Sequence, residues 1–386
     1  MDGSRIRSGL SPSALIILAG LVVLSGGAFL IGAVADVQRT WANLLVASYG
    51  LLGFGLGSAI FLALLFVTGA RWSDRIRPIV ENLTFLLPAG AVGVLLVLIA
   101  CPSLYPWTAG HDEEASRFQQ FWLSRRFFLL RAVVYLTLWC VLALLLLRAS
   151  RRHTLDPNPS RTRAVRLSAL FLVAFGLTGW LASMDWIMSL EPKWSSAVFG
   201  VYNFAGMFLG AIAALVVLVV CLDRRGAAAA PIDRHQLGDL GTLLFSFSSF
   251  WMYLWFCQYL LIWYVNNPEE ADYYILRQQE RGPWLFLGNV LLNWEFLFLA
   301  NVTLNWGVPF VVLLFRPAKE SPLILTTVAL LVLAGRWVDV YTMVLPPVAG
   351  HSMVFGFWDA CLMPGTIGLA VLLAGWRVPR PAGDMP

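Results

Sequence analysis

Residues 41–69 read WANLLVASYGLLGFGLGSAIFLALLFVTG, a run without one charged side chain. At ~1.5 Å per residue it would make a helix about 43 Å long, more than the ~30 Å hydrocarbon core of a bilayer demands. Its apolar side chains run continuously instead of alternating over ~10 residues, which favours a helix over a barrel strand. A span this long is expected to tilt or to extend past the bilayer.

The rest of the chain reads the same way. Of 386 residues, 59% are hydrophobic and 13% charged, and the mean hydropathy is +0.73. Soluble domains carry roughly 25% charged residues. Ten spans are expected, at 13–35, 41–69, 81–101, 127–148, 167–189, 198–222, 240–264, 284–315, 322–345 and 359–376. The fold class is therefore an all-α integral membrane protein of about ten transmembrane helices. Ala33-Val34-Ala35 mimics a signal-peptide cleavage site, but the apolar region before it is too long for one, so the first span reads as a retained helix. The eighth is too long for a straight crossing and is expected to start at the interface and break near Pro309. The longest loops, Pro102 to Arg126 and Ala149 to Arg166, leave no room for a soluble domain.

Basic residues concentrate on one side of this alternation: Arg71, Arg75 and Arg77, the group from Arg148 to Arg166, then Arg224, Arg225 and Arg234. That asymmetry places both termini in the cytoplasm. The net charge of +5 is then topological, and no nucleic-acid partner is implied.

None of the four histidines, His111, His153, His235 and His351, falls mid-span, so a haem held by two membrane histidines is not expected. The five cysteines stand singly, and no metal site is expected. Gly53-x-Gly55-x-Gly57 sits inside a span with no strand before it, so it reads as close helix packing and not as a nucleotide loop.

Two helix pairs share one offset. Trp41, Tyr49, Gly53 and Gly57 recur as Trp194, Tyr202, Gly206 and Gly210, 153 positions on. Asp185 precedes Pro192 as Asp339 precedes Pro346, 154 positions on. The chain reads as a duplicated four-helix unit with parallel repeats. Residues 1–40 form a first flanking helix, 41–193 and 194–350 two four-helix bundles (spans 2–5 and 6–9), and 351–386 a last flanking helix with a cytoplasmic tail.

Ionisable residues within spans are costly unless paired or wet, and so mark candidate sites. They are Arg131, Asp185, Arg336 and Asp339, with Glu295 in the poorly bounded eighth span and Tyr202 as a hydrogen-bond partner. Arg131, Asp185, Arg336 and Asp339 fall in the outer half, near Asn266, Asn267, Glu269, Glu270, His351 and Asp359 of the outer loops. They fit either a quinone or proton site, or structural ion pairs that fix helix register. In span 7, Ser246, Ser248, Ser249, Tyr253, Gln258 and Tyr259 could hold a proton path, or bond to helix backbones instead.

Met184-Asp185-Trp186-Ile187-Met188-Ser189-Leu190-Glu191-Pro192-Lys193-Trp194-Ser195-Ser196 resembles a signature of one family. So do Leu237-Gly238-Asp239 through Phe250-Trp251 to Gln258-Tyr259-Leu260-Leu261-Ile262-Trp263-Tyr264 with Pro268-Glu269-Glu270, and Arg336-Trp337-Val338-Asp339, and Pro309-Phe310 ahead of Arg316. Over spans 2 to 10 the chain resembles the ActF-like membrane subunit of bacterial alternative complex III, a quinol:electron-acceptor oxidoreductase, within the NrfD-like (polysulfide reductase membrane subunit) superfamily. Lys193 departs from the histidine, and Cys257 from the serine, common at those positions. The resemblance implies two four-helix bundles with two flanking helices in the bacterial cytoplasmic membrane. It also implies an NrfD-like sister subunit, an iron–sulfur subunit, c-type haem subunits and small membrane subunits. Haem c and iron–sulfur clusters would lie on those partners, and this chain would hold no metal-bound or covalent cofactor. It would offer a quinone (menaquinone or ubiquinone) or proton site near the periplasmic side, at Asp185, Arg336 and Asp339. A structural anchor of that complex, or a secondary transporter, stays open as an alternative.

Overall fold

A computed structural model describes residues 11–70, 75–109, 116–155, 157–225, 232–278, 294–349 and 356–375. Among these residues, ten helices are long and apolar enough to cross a membrane: α1 Pro12–Ala35, α2 Val37–Thr68, α3 Arg77–Ala100, α4 Arg125–Arg152, α5 Arg161–Leu190, α6 Phe199–Arg224, α7 Arg234–Val265, α8 Trp294–Leu313, α9 Pro322–Val348 and α10 Phe357–Gly375. Among the described residues there is no strand. The chain is a multi-pass, all-α membrane protein. The start of α1 and the end of α10 share one side of the bundle, here the terminal side. The joints after α1, α3, α5, α7 and α9 lie on the opposite, far side.

Local chemistry sets the helix ends. Ser11 Oγ accepts the Ala14 N–H ahead of Pro12, whose missing N–H costs nothing at a first turn. Asp233 and Gln236 close a reciprocal capping box on α7. Gly69 ends α2 at φ +66°, a left-handed cap where a side chain would be strained.

The bundle is built around α2, which packs on α3, α5, α6, α9 and α10. α1 packs chiefly on α10, where Ser25 Oγ donates to the Cys361 carbonyl at 2.6 Å. Where α2 meets α6, the glycines of the repeated motif let the helices close. A Cβ on Gly57 would strike Met207 and Ala211, and a Cβ on Gly210 would strike the Phe54 ring. The two contacts are images of one another, since Met207 and Gly210 stand 153 residues after Phe54 and Gly57. Small residues permit such approach in a membrane, where packing has to supply the association that apolar burial supplies in water.

The eighth helix differs from expectation. It does not break at Pro309; it widens into a π-helical turn at Thr303–Gly307 just ahead of it. Proline lacks the N–H that would bond the carbonyl four residues earlier, that of Asn305. Ser248 Oγ of α7 donates to that carbonyl at 2.5 Å, so the freed acceptor is satisfied from a neighbouring helix. Expected residues 284–293 of this span lie outside the described residues.

Gly57→Leu should therefore force α2 from α6 and lower the unfolding midpoint in detergent by the equivalent of ~1–3 kcal/mol of overpacking. Gly26→Leu, on the exposed face of α1 with nothing near its Cβ, should leave the midpoint unchanged.

Candidate functional site

Asp339 of α9 is 1% exposed and carries three donors. Arg336, one turn earlier, pairs with Oδ2. The Tyr202 hydroxyl of α6 donates to Oδ1, as does Asn301 Nδ2 of α8 at 2.8 Å. The Arg336 guanidinium lies across Gly206, where any Cβ would collide with it. The glycine of the repeated motif is thus the space that the cation occupies. From Asn301 the polar chain continues through the π turn. Asn305 Nδ2 donates to Asn301 Oδ1 at 2.7 Å, and Ser248 caps the Asn305 carbonyl. Asn305 is fully buried and its Oδ1 has no partner, so the chain has one acceptor to spare at the π turn.

Arg336 also lines a cavity of about 390 Å³ between α2, α6, α9 and α10. Its walls are almost wholly apolar, with Tyr49, Trp337 and Thr366 as the other side chains on the lining that carry a polar atom. Tyr49 donates to Asn203 Oδ1 at 3.1 Å. Two wall residues, Leu330 and Ile367, are 52% and 51% exposed, so the cavity opens to the lipid-facing surface between α9 and α10. The arrangement is an apolar slot with the Arg336 cation on its wall and the Asp339 carboxylate bonded to that cation from outside the lining.

Asp185 of α5 is held differently. Arg131 Nε and Nη2 of α4 fork onto its two oxygens at 2.9 and 2.8 Å, and Trp122 Nε1 donates at 2.9 Å. The guanidinium lies 4.0 Å from the Trp122 ring centroid and 4.5 Å from that of Phe127. Both partners are buried, and neither lines the Arg336 cavity. The bidentate fork and the flanking rings hold both side chains in one geometry. The two acids thus sit in separate clusters and do not form one site.

Two further buried pairs escaped the sequence reading, because Arg39 and Arg277 fall outside the expected spans. Asp359 of α10 receives Arg39 Nη2 of α2 at 2.6 Å, Asn43 Nδ2 at 2.5 Å and the Gly356 N–H at 2.6 Å. Arg277, on a short helix Pro268–Gln278, reaches Glu191 at 2.5 Å and the Thr342 carbonyl at 2.9 Å. Burial opposes its charge, and the Glu191 carboxylate with Tyr273 outweighs this, holding its pKa above the ordinary value. It lies 3.5 Å over the Tyr273 ring, which stacks on Trp194 at 3.9 Å. Burial pushes the Tyr273 hydroxyl up to about 12, against the nearby Arg277. The only sequence hint was that Arg39 and Arg277 stand within a turn or two of apolar spans. On the terminal side Glu81 is also buried, accepting from Ser150 Oγ at 2.5 Å.

The span 7 residues do not share a face. Ser246 is exposed and bonds the Thr242 carbonyl, Ser249 bonds the Phe245 carbonyl, and Tyr253 is 61% exposed. Gln258 is buried, donating to Tyr274 at 3.2 Å and accepting from Ser196 at 3.3 Å, while Tyr259 packs edge-on against Tyr274. Only Ser248 joins the Asp339 network. Glu295 is half-buried in the first turn of α8, and His351 lies outside the described residues. Among the described residues no group of three or more His, Cys, Asp and Glu side chains converges as metal ligands would.

Arg131→Gln should strand the Asp185 charge and destabilise the chain by about 3–5 kcal/mol. In an unfolding cycle, Arg131→Gln with Asp185→Asn should cost less than the sum of the two singles, since the stranded charge is then gone. No protein-family model matches the chain, and no curated protein matches it.

Proposed function

We propose that this chain is a membrane subunit of a respiratory quinol:acceptor oxidoreductase, carrying a quinone- and proton-handling site at Arg336 and Asp339. The reading combines the resemblance to the alternative complex III membrane subunit with one structural observation. Arg336 touches both the buried carboxylate of Asp339 and an apolar slot open to lipid. A quinone needs such a slot, because its isoprenoid tail stays in hydrocarbon while its oxygens seek donors. In this reading the membrane is the bacterial cytoplasmic membrane, with both termini inside and the far side periplasmic. Electrons leave through partner subunits, an iron–sulfur protein and c-type haem proteins beside an NrfD-like sister subunit, toward a periplasmic acceptor.

The chemistry follows from the shared arginine. Oxidation of a quinol (menaquinol or ubiquinol) releases two electrons and two protons. As a quinol oxygen loses its proton it draws the Arg336 guanidinium away from Asp339, and the carboxylate oxygen so freed is in place to take that proton. Tyr202 and Asn301 keep it in place, and of these two partners the Tyr202 hydroxyl is the one whose O–H can exchange a proton with it. The Arg131–Asp185 fork favours a structural role for that pair.

In the assembled complex, Asp339→Asn should keep the shape and lower quinol:acceptor turnover about a hundredfold, the scale of one positioned acid–base group. Assembly, read from co-purifying haem and iron–sulfur chains, should persist at a lowered unfolding midpoint, since Arg336 is left buried without its carboxylate. Wild-type turnover in an assembled Asp339→Asn complex would remove the proposal.

A further inference from the structure

The two halves of the chain differ in charge where α4 turns into α5 at the terminal side. From residue 132 to residue 184 the sequence carries six arginines, Arg148, Arg151, Arg152, Arg161, Arg163 and Arg166, against one acid, Asp156. The matching corner of the second half, where α8 turns into α9, carries Arg316 and Lys319. There the image of Arg166, 154 residues on, is Glu320, and Arg316 pairs with it at 2.9 Å. Two basic residues satisfy topology at that corner. The first corner holds a surplus.

That surplus is ordered along two helix faces. On α4, Arg148, Arg151 and Arg152 prolong the exposed face of Val141 and Leu144. On α5, Arg163 and Arg166 begin the exposed face that Leu170, Val173 and Leu177 continue. At 3.6 residues per turn each set falls within about 100° of its helix. Each helix thus has one outer face, apolar in the span and cationic at its terminal-side end. α4 and α5 pack along one another, so the cationic ends meet at one corner. Arg151 is half exposed and its Nε lies 3.5 Å from the buried Glu81, a contact that engages one of the group.

We infer that this corner binds an anionic phospholipid, its phosphate among the α4 and α5 arginines and its acyl chains along the apolar faces below. A phosphodiester matches the planar fork of donors that a guanidinium presents, and every basic residue that faces outward here is arginine. The acyl chains need hydrocarbon contact directly beneath the charge, which Val141, Leu144, Leu170 and Val173 supply. A soluble anion would use only the cations. A zwitterionic lipid would bring an ammonium group to a surface already in positive excess. The corner between α8 and α9 is the internal contrast: Val311, Leu314, Leu323 and Leu330 are as exposed, but Arg316 is spent on Glu320. The site stands apart from the Arg336 slot and does not depend on what that slot receives.

The full chain in detergent, given equal phosphatidylglycerol and phosphatidylcholine of one chain length, should retain phosphatidylglycerol in native mass spectrometry, less so as salt is added. Arg148, Arg152 and Arg166 are exposed, so replacing all three by Gln leaves the packing intact. That variant should retain about ten- to a hundredfold less phosphatidylglycerol, with an unchanged unfolding midpoint in lipid-free detergent. Arg316→Gln should retain it as wild type does. Equal retention of the two lipids by the wild-type chain, or wild-type retention by the triple variant, would overturn the inference. So would an equal loss in Arg316→Gln, which would make the effect one of net charge and not of this corner. Displacement of the lipid by glycerol 3-phosphate would reveal a phosphate site that needs no acyl chain, and the lipid assignment would fall. A triple variant that keeps its lipid but loses a partner chain from the assembled complex would make the corner a protein interface instead.

Discussion

A carboxylate 1% exposed within a helix bundle stays charged only if a cation and donors surround it, and this constraint at Asp339 organises the centre of the protein. Arg336 supplies the cation from the same helix face, Tyr202 and Asn301 the donors from two others. The cation in turn requires a gap in α6, which Gly206 provides. The π turn of α8 belongs to the same chain of causes. Pro309 frees the Asn305 carbonyl, Ser248 bonds it, and the turn sets Asn305 against Asn301 beneath the carboxylate.

The far side is tied together by further charge pairs, and they join parts that apolar packing alone would hold loosely. Asp359 fastens α10 to the start of α2, and Arg277 fastens the short helix after α7 to the Glu191 loop and to α9. α10 is also a wall of the Arg336 slot, so the Arg39–Asp359 pair sets one side of that cavity. Removing one member of such a pair is costly because the other is left buried and alone, whereas an exposed pair such as Arg316–Glu320 contributes little.

Much of this was legible in the sequence because a charge in an apolar run has few ways to survive. Asp185 with Arg131 and Asp339 with Arg336 pair as their positions implied, and nine of the spans lie within a few residues of the helices observed. Arg39 and Arg277 were not legible: they stand at span edges, where a burial and a loop look alike until a distant carboxylate is placed beside them. Asp359 was read as a loop acid for the same reason. The span 7 hydroxyls were misleading because a serine that bonds its own helix, as Ser246 and Ser249 do, writes the same letter as one that bonds across, as Ser248 does. The π turn follows from Pro309, but its position at Thr303–Gly307, ahead of the proline, depends on which neighbour satisfies the freed carbonyl. The Trp–Tyr–Gly–Gly repeat carried more than packing, since one of its glycines houses a guanidinium.

The central claim is that the slot ending at Arg336 receives a quinone headgroup. Its most direct test is a cryo-electron microscopy map of the assembled complex in nanodiscs with added menaquinone. The account predicts ring density at the inner end of the slot between α2, α6, α9 and α10, with an oxygen within hydrogen-bonding distance of Arg336 and the tail leaving between α9 and α10. A saturated complex whose slot holds only acyl-chain density, with quinone bound solely in a partner subunit, would contradict it.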